Sequence, residues 1–355
     1  MPKPRFDKGN IALLACGLLM FDALMASVNV LQVEARTSGA HQLTSYREGA
    51  DSGETEAAGA AAPKEKLSAV NHEKAVSPPS EKRAGEAFAA GGAAQKADTE
   101  TRKAFNSLVD TFYDGVFRLN PNYATEAGVH DYDSLVPNVS AEGVRRQIRF
   151  LKDYLKRFNA LDRAKLTDDQ RIDLSLLVSD VKGQLLELEE IKQWRTNPDR
   201  YSSLSCALVF ALIKRNFAPL DERMKCAIQR EREIPSILKA ARENLDPQLV
   251  PRIYVEIALE QLPGIVSFFD KDVPEAFKTV KSTQLQEEFA QVNNQVKAAL
   301  KDYGQYLERE ILPNANGDYA LGAELYRKKL LYEEMIDEPL PLLRERGYAE
   351  LRRLQ

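Results

Sequence analysis

Histidine is scarce in this 355-residue chain: His41, His72 and His130 are the only three. Cysteine is as rare (Cys16, Cys206 and Cys226), and tryptophan occurs once, at Trp194. Three cysteines cannot build the dense disulfide framework of a small secreted scaffold. A catalytic zinc site ordinarily draws three protein ligands from His, Glu, Asp or Cys, and the chain has no His-Glu-x-x-His and no Cys-x-x-Cys. It also lacks Gly-x-Ser-x-Gly, a phosphate loop and a dinucleotide fingerprint. Neither sign of charge dominates, with 49 Lys and Arg against 53 Asp and Glu, so no global basic field points to nucleic acid. What is present, 44% hydrophobic and 29% charged residues, suffices for a large folded domain and excludes a wholly disordered chain.

The N-terminus reads as an export segment. Lys3, Arg5 and Lys8 precede the apolar run Ile11 to Phe21, and Val33-Glu34-Ala35 offers small side chains for cleavage after Ala35. A retained anchor is the rival reading; Asp22 would then sit near mid-membrane at a cost of roughly 2.5–3.5 kcal/mol. Lipidation at Cys16, behind Leu13-Leu14-Ala15, is a third. From 36 to 100 the chain is rich in Ala, Gly, Glu, Lys and Ser, contains no Ile, and has only Tyr46 and Phe88 as aromatics. Such a tract buries too little surface to offset chain entropy and reads as a tether, with His41 and His72 as solvated linker residues. The expected organisation is therefore 1–35 signal or anchor, 36–100 tether and 101–355 folded domain.

Beyond Thr101 apolar residues recur at helical spacing. Phe105, Leu108, Val109, Phe112 and Val116 form one stripe; Val144, Ile148, Leu151, Leu155 and Phe158 form another. Asn120-Pro121 predicts a cap and first-turn proline opening a short helix that Gly128 ends. Thr167-Asp-Asp-Gln170 is a capping-box signature before a long helix from Leu174 to Ile191. Helical runs are predicted near 202–215, 219–232, 235–244 and 251–270, with a kink or break at Pro263. The strongest pattern, 282–312, carries Leu285, Phe289, Val292, Val296, Leu300, Tyr303, Leu307 and Ile311. Asn316-Gly317 is a hairpin-turn signal, so the expected fold is an all-α multi-helix array with at most one small β-hairpin near 311–322. Helical spacing resumes from Ala323 to Met335 and again at the C-terminus.

Candidate chemistry is thin. His130 is the lone imidazole base of the folded part. Cys206 and Cys226 could pair after export or remain buried thiols. Glu256 and Glu260 lie one turn apart, a spacing that usually marks a solvated face. Arg145, Arg146 and Arg149 read the same way, and Tyr303 and Tyr306 read as core.

Five pieces in order carry a family resemblance: Asn120-Pro-Asn-Tyr-Ala-Thr-Glu-Ala-Gly-Val-His-Asp-Tyr-Asp133, Trp194-Arg-Thr-Asn-Pro-Asp-Arg-Tyr201, Ile234 to Leu245, Glu256 to Gly264, and Gly317-Asp-Tyr-Ala-Leu-Gly-Ala-Glu-Leu-Tyr326. Over 100–355 the chain resembles the N-terminal half of a bacterial family catalogued as domain of unknown function 885. The resemblance implies an exported, often lipoprotein-like helical protein related to zinc-dependent peptidases, periplasmic or extracellular, touching a membrane only through its N-terminal segment. The family's metal motif, His-Glu-x-x-Pro-Gly-His, belongs to the C-terminal half and is absent here. No cofactor is therefore expected in this chain, and zinc only if that half is supplied. The implied partners are a peptide substrate or the missing half. The alternative is a non-catalytic peptide- or protein-binding module. The matched residues singled out for binding are Tyr123, Thr125, His130, Trp194, Asn197, Tyr201 and Tyr319. Against this stands a structural reading: Gly128 ends a helix, Asn197-Pro198 makes a turn, and Trp194 is core. Tyr319 lies in a stretch, Asp318 to Gly322, that could accept a peptide by strand addition.

Overall fold

A computed structural model describes residues 81–355, with side chains described from 98 onward. The export segment, Cys16, His41, His72 and most of the tether lie outside the described residues. The first helix, α1 (Glu81–Leu119), begins within the stretch that composition assigns to the tether. Asp98–Gln355 falls in one compact unit, to which all that follows refers.

The unit is all-α, as the periodicity predicts. After α1 come α2 (Pro121–Glu126), α3 (Ala141–Asn159), α4 (Asp168–Leu186), α5 (Gln193–Thr196) and α6 (Asp199–Ile213). Then follow α7 (Leu220–Asn244), α8 (Arg252–Ser267), α9 (Val273–Phe277), α10 (Thr283–Tyr306), α11 (Gly322–Glu333) and α12 (Leu340–Leu354). The helix starts obey local chemistry. Asn120 Oδ1 accepts from Tyr123 N–H at 3.3 Å and Pro121 fills the first turn of α2, while Gly128 closes the segment at φ +82°. The capping box of α4 forms reciprocally: Gln170 N–H donates to Thr167 Oγ1 (3.2 Å), and Thr167 N–H donates to Gln170 Oε1 (3.3 Å).

Two apolar cores result. One gathers α1 to α4 around Phe112, whose ring contacts Tyr113, Phe150, Tyr154 and Phe158. The other gathers α6 to α10 around Leu208, Leu238, Phe269, Val296 and Tyr303. The stripe of α10 packs inward as read: Phe289, Val292, Val296, Leu300 and Tyr303 are buried. Three long helices end in π turns, at Glu187–Ile191, Phe268–Asp272 and Leu307–Ile311.

Two expectations need correction, and the one hairpin that the sequence allowed is not used. Pro235 does not separate two helices: α7 runs through it from Leu220 to Asn244, because Ile234, Ile237, Leu238 and Ala241 all bury into the second core. That burial outweighs the loss of one backbone bond, the donor that Glu231's carbonyl would have used. Nor does Pro263 break its helix: α8 continues to Ser267 and widens only afterwards, in the π turn. The hairpin near 311–322 does not form either. Gly317 instead makes an isolated parallel bridge to Pro251, its N–H donating to Val250 O at 3.0 Å. Glycine is needed there for close approach, since a Cβ would lie 2.1 Å from the Leu249 carbonyl oxygen. At the end of the unit, α11 packs on α4, whereas α12 buries none of its residues.

Candidate functional site

Arg230 is the pivot of the interior. It lies on the apolar face of α7 and is fully buried. Its Nη1 donates to Leu208 O (2.8 Å) and Asn122 Oδ1 (3.2 Å), and its Nη2 donates to Thr125 Oγ1 (2.6 Å) and Pro121 O (3.4 Å). A guanidinium on one core thereby grips the α2 segment of the other. Thr125 passes the interaction on, its hydroxyl donating to Asp133 Oδ1 at 2.6 Å. Asp133 is itself buried, and its second oxygen meets His130 Nδ1 at 2.9 Å. With a carboxylate as acceptor, Nδ1 carries the ring proton and Nε2 is left as the basic nitrogen. The ring stacks on Phe217 at 3.9 Å and 9°. Lys214 pairs with Glu126 (3.2 Å) and Arg215 donates to Glu126 O (3.1 Å), fastening the end of α6 to the same segment.

Burial lowers the Arg230 pKa to about 10, with the Asp133 charge pulling the other way, so the guanidinium stays cationic at neutral pH. The next residue, Glu231, is fully buried and neither carboxylate oxygen has a hydrogen-bond partner. Burial pushes its carboxyl up to about 8, which keeps it protonated at pH 7. Cys226, one turn before Arg230, is free. Burial first and the Asp133 charge second raise its pKa, which keeps it a thiol and a weak nucleophile. Cys206 is also free and is pushed up to about 12 by burial.

A carboxylate-oriented imidazole is half of a hydrolytic triad. The other half is missing among the described residues, where no hydroxyl or thiol hydrogen-bonds to His130 Nε2. No group of three or more His, Cys, Asp or Glu side chains among the described residues stands close enough to hold a metal ion. Glu256 is paired with Arg252 at 2.8 Å on an exposed helix face, and Glu260 is exposed.

The structure joins Thr125 and His130 in one network and places Tyr123 elsewhere, against Phe117 in the first core. Trp194, Asn197 and Tyr201 form a second constellation that is used internally. Trp194 Nε1 donates to Leu188 O (3.0 Å) and Asn197 Oδ1 accepts from Asp199 N–H (3.1 Å) at the start of α6. The Tyr201 hydroxyl donates to Trp194 O and accepts from Asn244 Nδ2 (3.0 Å), while Tyr303 OH donates to Pro198 O (2.8 Å). Tyr319 stands alone, 68% exposed. Arg230 and Asp133 escape a reading by residue type. The signal for Arg230 was its register, three residues after Ala227 and four before Ile234, on the face that the helix buries.

Fold and site together define an all-α domain whose two cores are joined by a buried cation. The chain belongs to the family described as bacterial protein of unknown function (DUF885), whose model matches residues 121–355. A solved structure described as a putative lipoprotein of unknown function from Shewanella oneidensis is similar in fold, with a TM-score of 0.64 at 22% sequence identity. The similarity covers 70% of this chain and 46% of that one, so the chain spans less than half the length of that relative. No curated protein matches.

Proposed function

We propose that the chain is exported and forms the helical wall of a zinc-peptidase-like protein, contributing packing and a substrate-facing edge but no metal centre. The observation that carries this reading is the engagement of His130. The one histidine of the folded part is held by buried Asp133 and stacked on Phe217, and among the described residues no group of three or more His, Cys, Asp or Glu side chains surrounds it that could hold a metal ion. Export rests on the basic-then-apolar N-terminus and on the description of that relative as a lipoprotein. Zinc enters only with a segment carrying the missing His-Glu-x-x-Pro-Gly-His.

The test is a cleavage assay of the pure full chain on a mixed peptide pool, with and without added zinc. No chelator-sensitive hydrolysis is expected. Cleavage that is quenched by chelator and restored by zinc would overturn the reading. A second reading, a non-catalytic peptide-binding module, is favoured by the exposed stretch around Tyr319 beside the Pro251–Gly317 bridge. Saturable binding of an unstructured peptide that is weakened by Tyr319→Ala would select it.

A further inference from the structure

Charge is spread unevenly along this chain. Between 141 and 165 there are eight Lys and Arg against three Asp and Glu, although the whole sequence has a net charge of −4. Helix α3 holds six of those cations: Arg145, Arg146, Arg149, Lys152, Lys156 and Arg157. At roughly 100° per residue they fall in an arc of about 140°, opposite the side that buries Val144, Leu151 and Phe158 in the first core. All six residues are exposed. Their compensation is incomplete. Glu142 is shared by Arg145 and Arg149, at 2.9 Å each. Lys152 reaches Glu189, and Arg157 stands 3.7 Å from Asp153. Arg146 and Lys156 have no ion pair among the described residues. A surface helix needs charge to stay solvated, but mixed signs serve that purpose; an excess of one sign over a face about 28 Å long creates a directed field.

We infer that the outer face of α3 rests on an anionic lipid leaflet, adding a second contact to the one the N-terminal segment would make. The polarity of the field selects the partner: acidic headgroups attract this face while the acidic remainder of the chain turns away from them. The path of the chain agrees. Arg102 Nε donates to Lys165 O (3.1 Å) and Gln170 Nε2 donates to Arg102 O (3.3 Å). The start of the folded unit thus lies against the segment just beyond the end of α3, where the chain arrives from its export region. The surface ion pairs of α3 are worth little and exchange readily, so headgroup phosphates can replace Glu142 and Asp153. An acidic polypeptide is the poorer occupant. Binding to a protein concentrates on apolar anchors, and none of the exposed large apolar side chains lies on α3. The same lack limits the contact to headgroup depth, held by charge without insertion. With the proposed function this inference shares only the export of the chain, and it requires nothing of a peptidase.

The experiment is co-sedimentation of the full 355-residue chain with vesicles of pure phosphatidylcholine and with vesicles containing about 30% phosphatidylglycerol, at about 0.05 M and about 0.5 M salt. Partitioning onto the anionic vesicles is expected to be roughly tenfold or more the stronger at low salt, and the preference should vanish at high salt. Apolar binding by residues 11–21 adds equally to both vesicles and cancels in the comparison. Arg146→Glu/Arg149→Glu/Lys156→Glu should bring the anionic vesicles down to the level of the neutral ones, with an unchanged helical circular dichroism spectrum. Lys271→Glu/Lys281→Glu/Lys301→Glu makes the same change in net charge on other elements and should keep the preference. Equal partitioning onto the two vesicles overturns the inference. So does a preference that survives high salt, one that the α3 variant retains because Lys3, Arg5 and Lys8 supply it, or one that both variants lose alike.

Discussion

Replacing Arg230 by methionine isolates the contribution of the buried cation, because methionine fills similar space and leaves little cavity. The change abolishes four donated hydrogen bonds, to Leu208 O, Asn122 Oδ1, Pro121 O and Thr125 Oγ1. Each acceptor left without a donor costs about 1–3 kcal/mol, and Asp133 loses the positive charge that compensates it. Against this, the desolvation cost of the guanidinium itself is removed, which recovers several kcal/mol. The balance is a destabilisation of about 3 kcal/mol, or roughly 6–12 °C in Tm for a unit of this size. Urea unfolding of the full chain, followed by circular dichroism, measures it. Asp133→Asn attacks the other end of the relay, stripping the compensating charge while keeping its shape. Because the two residues act on one network, the double variant should lose at least about 1 kcal/mol less than the two single losses combined. Strict additivity, or a loss under about 1 kcal/mol for Arg230→Met, would refute the view that this relay joins the two cores.

Glu231 makes stability depend on pH in a definite direction. Its carboxyl keeps a proton up to about 8 when folded but releases it near 4.5 when unfolded, so stability should fall as pH rises between those values and then level off. Glu231→Gln should remove that slope and be the more stable protein at pH 8–9, as read from denaturation midpoints across pH; an unchanged slope would discount the group. Gly317→Ala forces a Cβ against the Leu249 carbonyl and should cost about 2 kcal/mol or more. Gly264→Ala, which meets nothing within 4 Å in the interior of α8, should gain about 0.5–1 kcal/mol. The pair of melting curves tests whether close approach is what reserves glycine at 317. Thr167→Ala should lose about 1 kcal/mol by dissolving the capping box of α4.

What could be read from the chain alone was whatever depends on neighbours in sequence. The caps at Asn120 and Thr167, the glycine stop at 128 and the stripe of α10 are set within a turn or two, and each forms as its residues dictate. Pro235 misled because its local breaking tendency was outweighed by the burial of Ile234, Ile237, Leu238 and Ala241 against helices distant in sequence. Asn316-Gly317 misled for the same reason: the pair has the composition of a turn, but its glycine answers to the Leu249 backbone far away in sequence. Thr125 and His130 were legible as a motif; their partner Arg230, about a hundred residues on, was not. Trp194, Asn197 and Tyr201 each spend polar atoms inside the fold, on Leu188 O, Asp199 N–H, Trp194 O and the Asn244 side chain.

The π turns at the exits of α4, α8 and α10 bear on how tolerant this chain is to changes in length. Each holds a wider loop of backbone than the regular coil before it, in effect one residue in surplus. Loss of a single residue from 187–191, 268–272 or 307–311 can be absorbed by tightening that loop, so downstream side chains keep their faces. The same loss from the middle of α10 would swing everything after it by roughly 100° and turn Tyr303 out of its core. Single-residue deletions in related chains should therefore collect at these three exits.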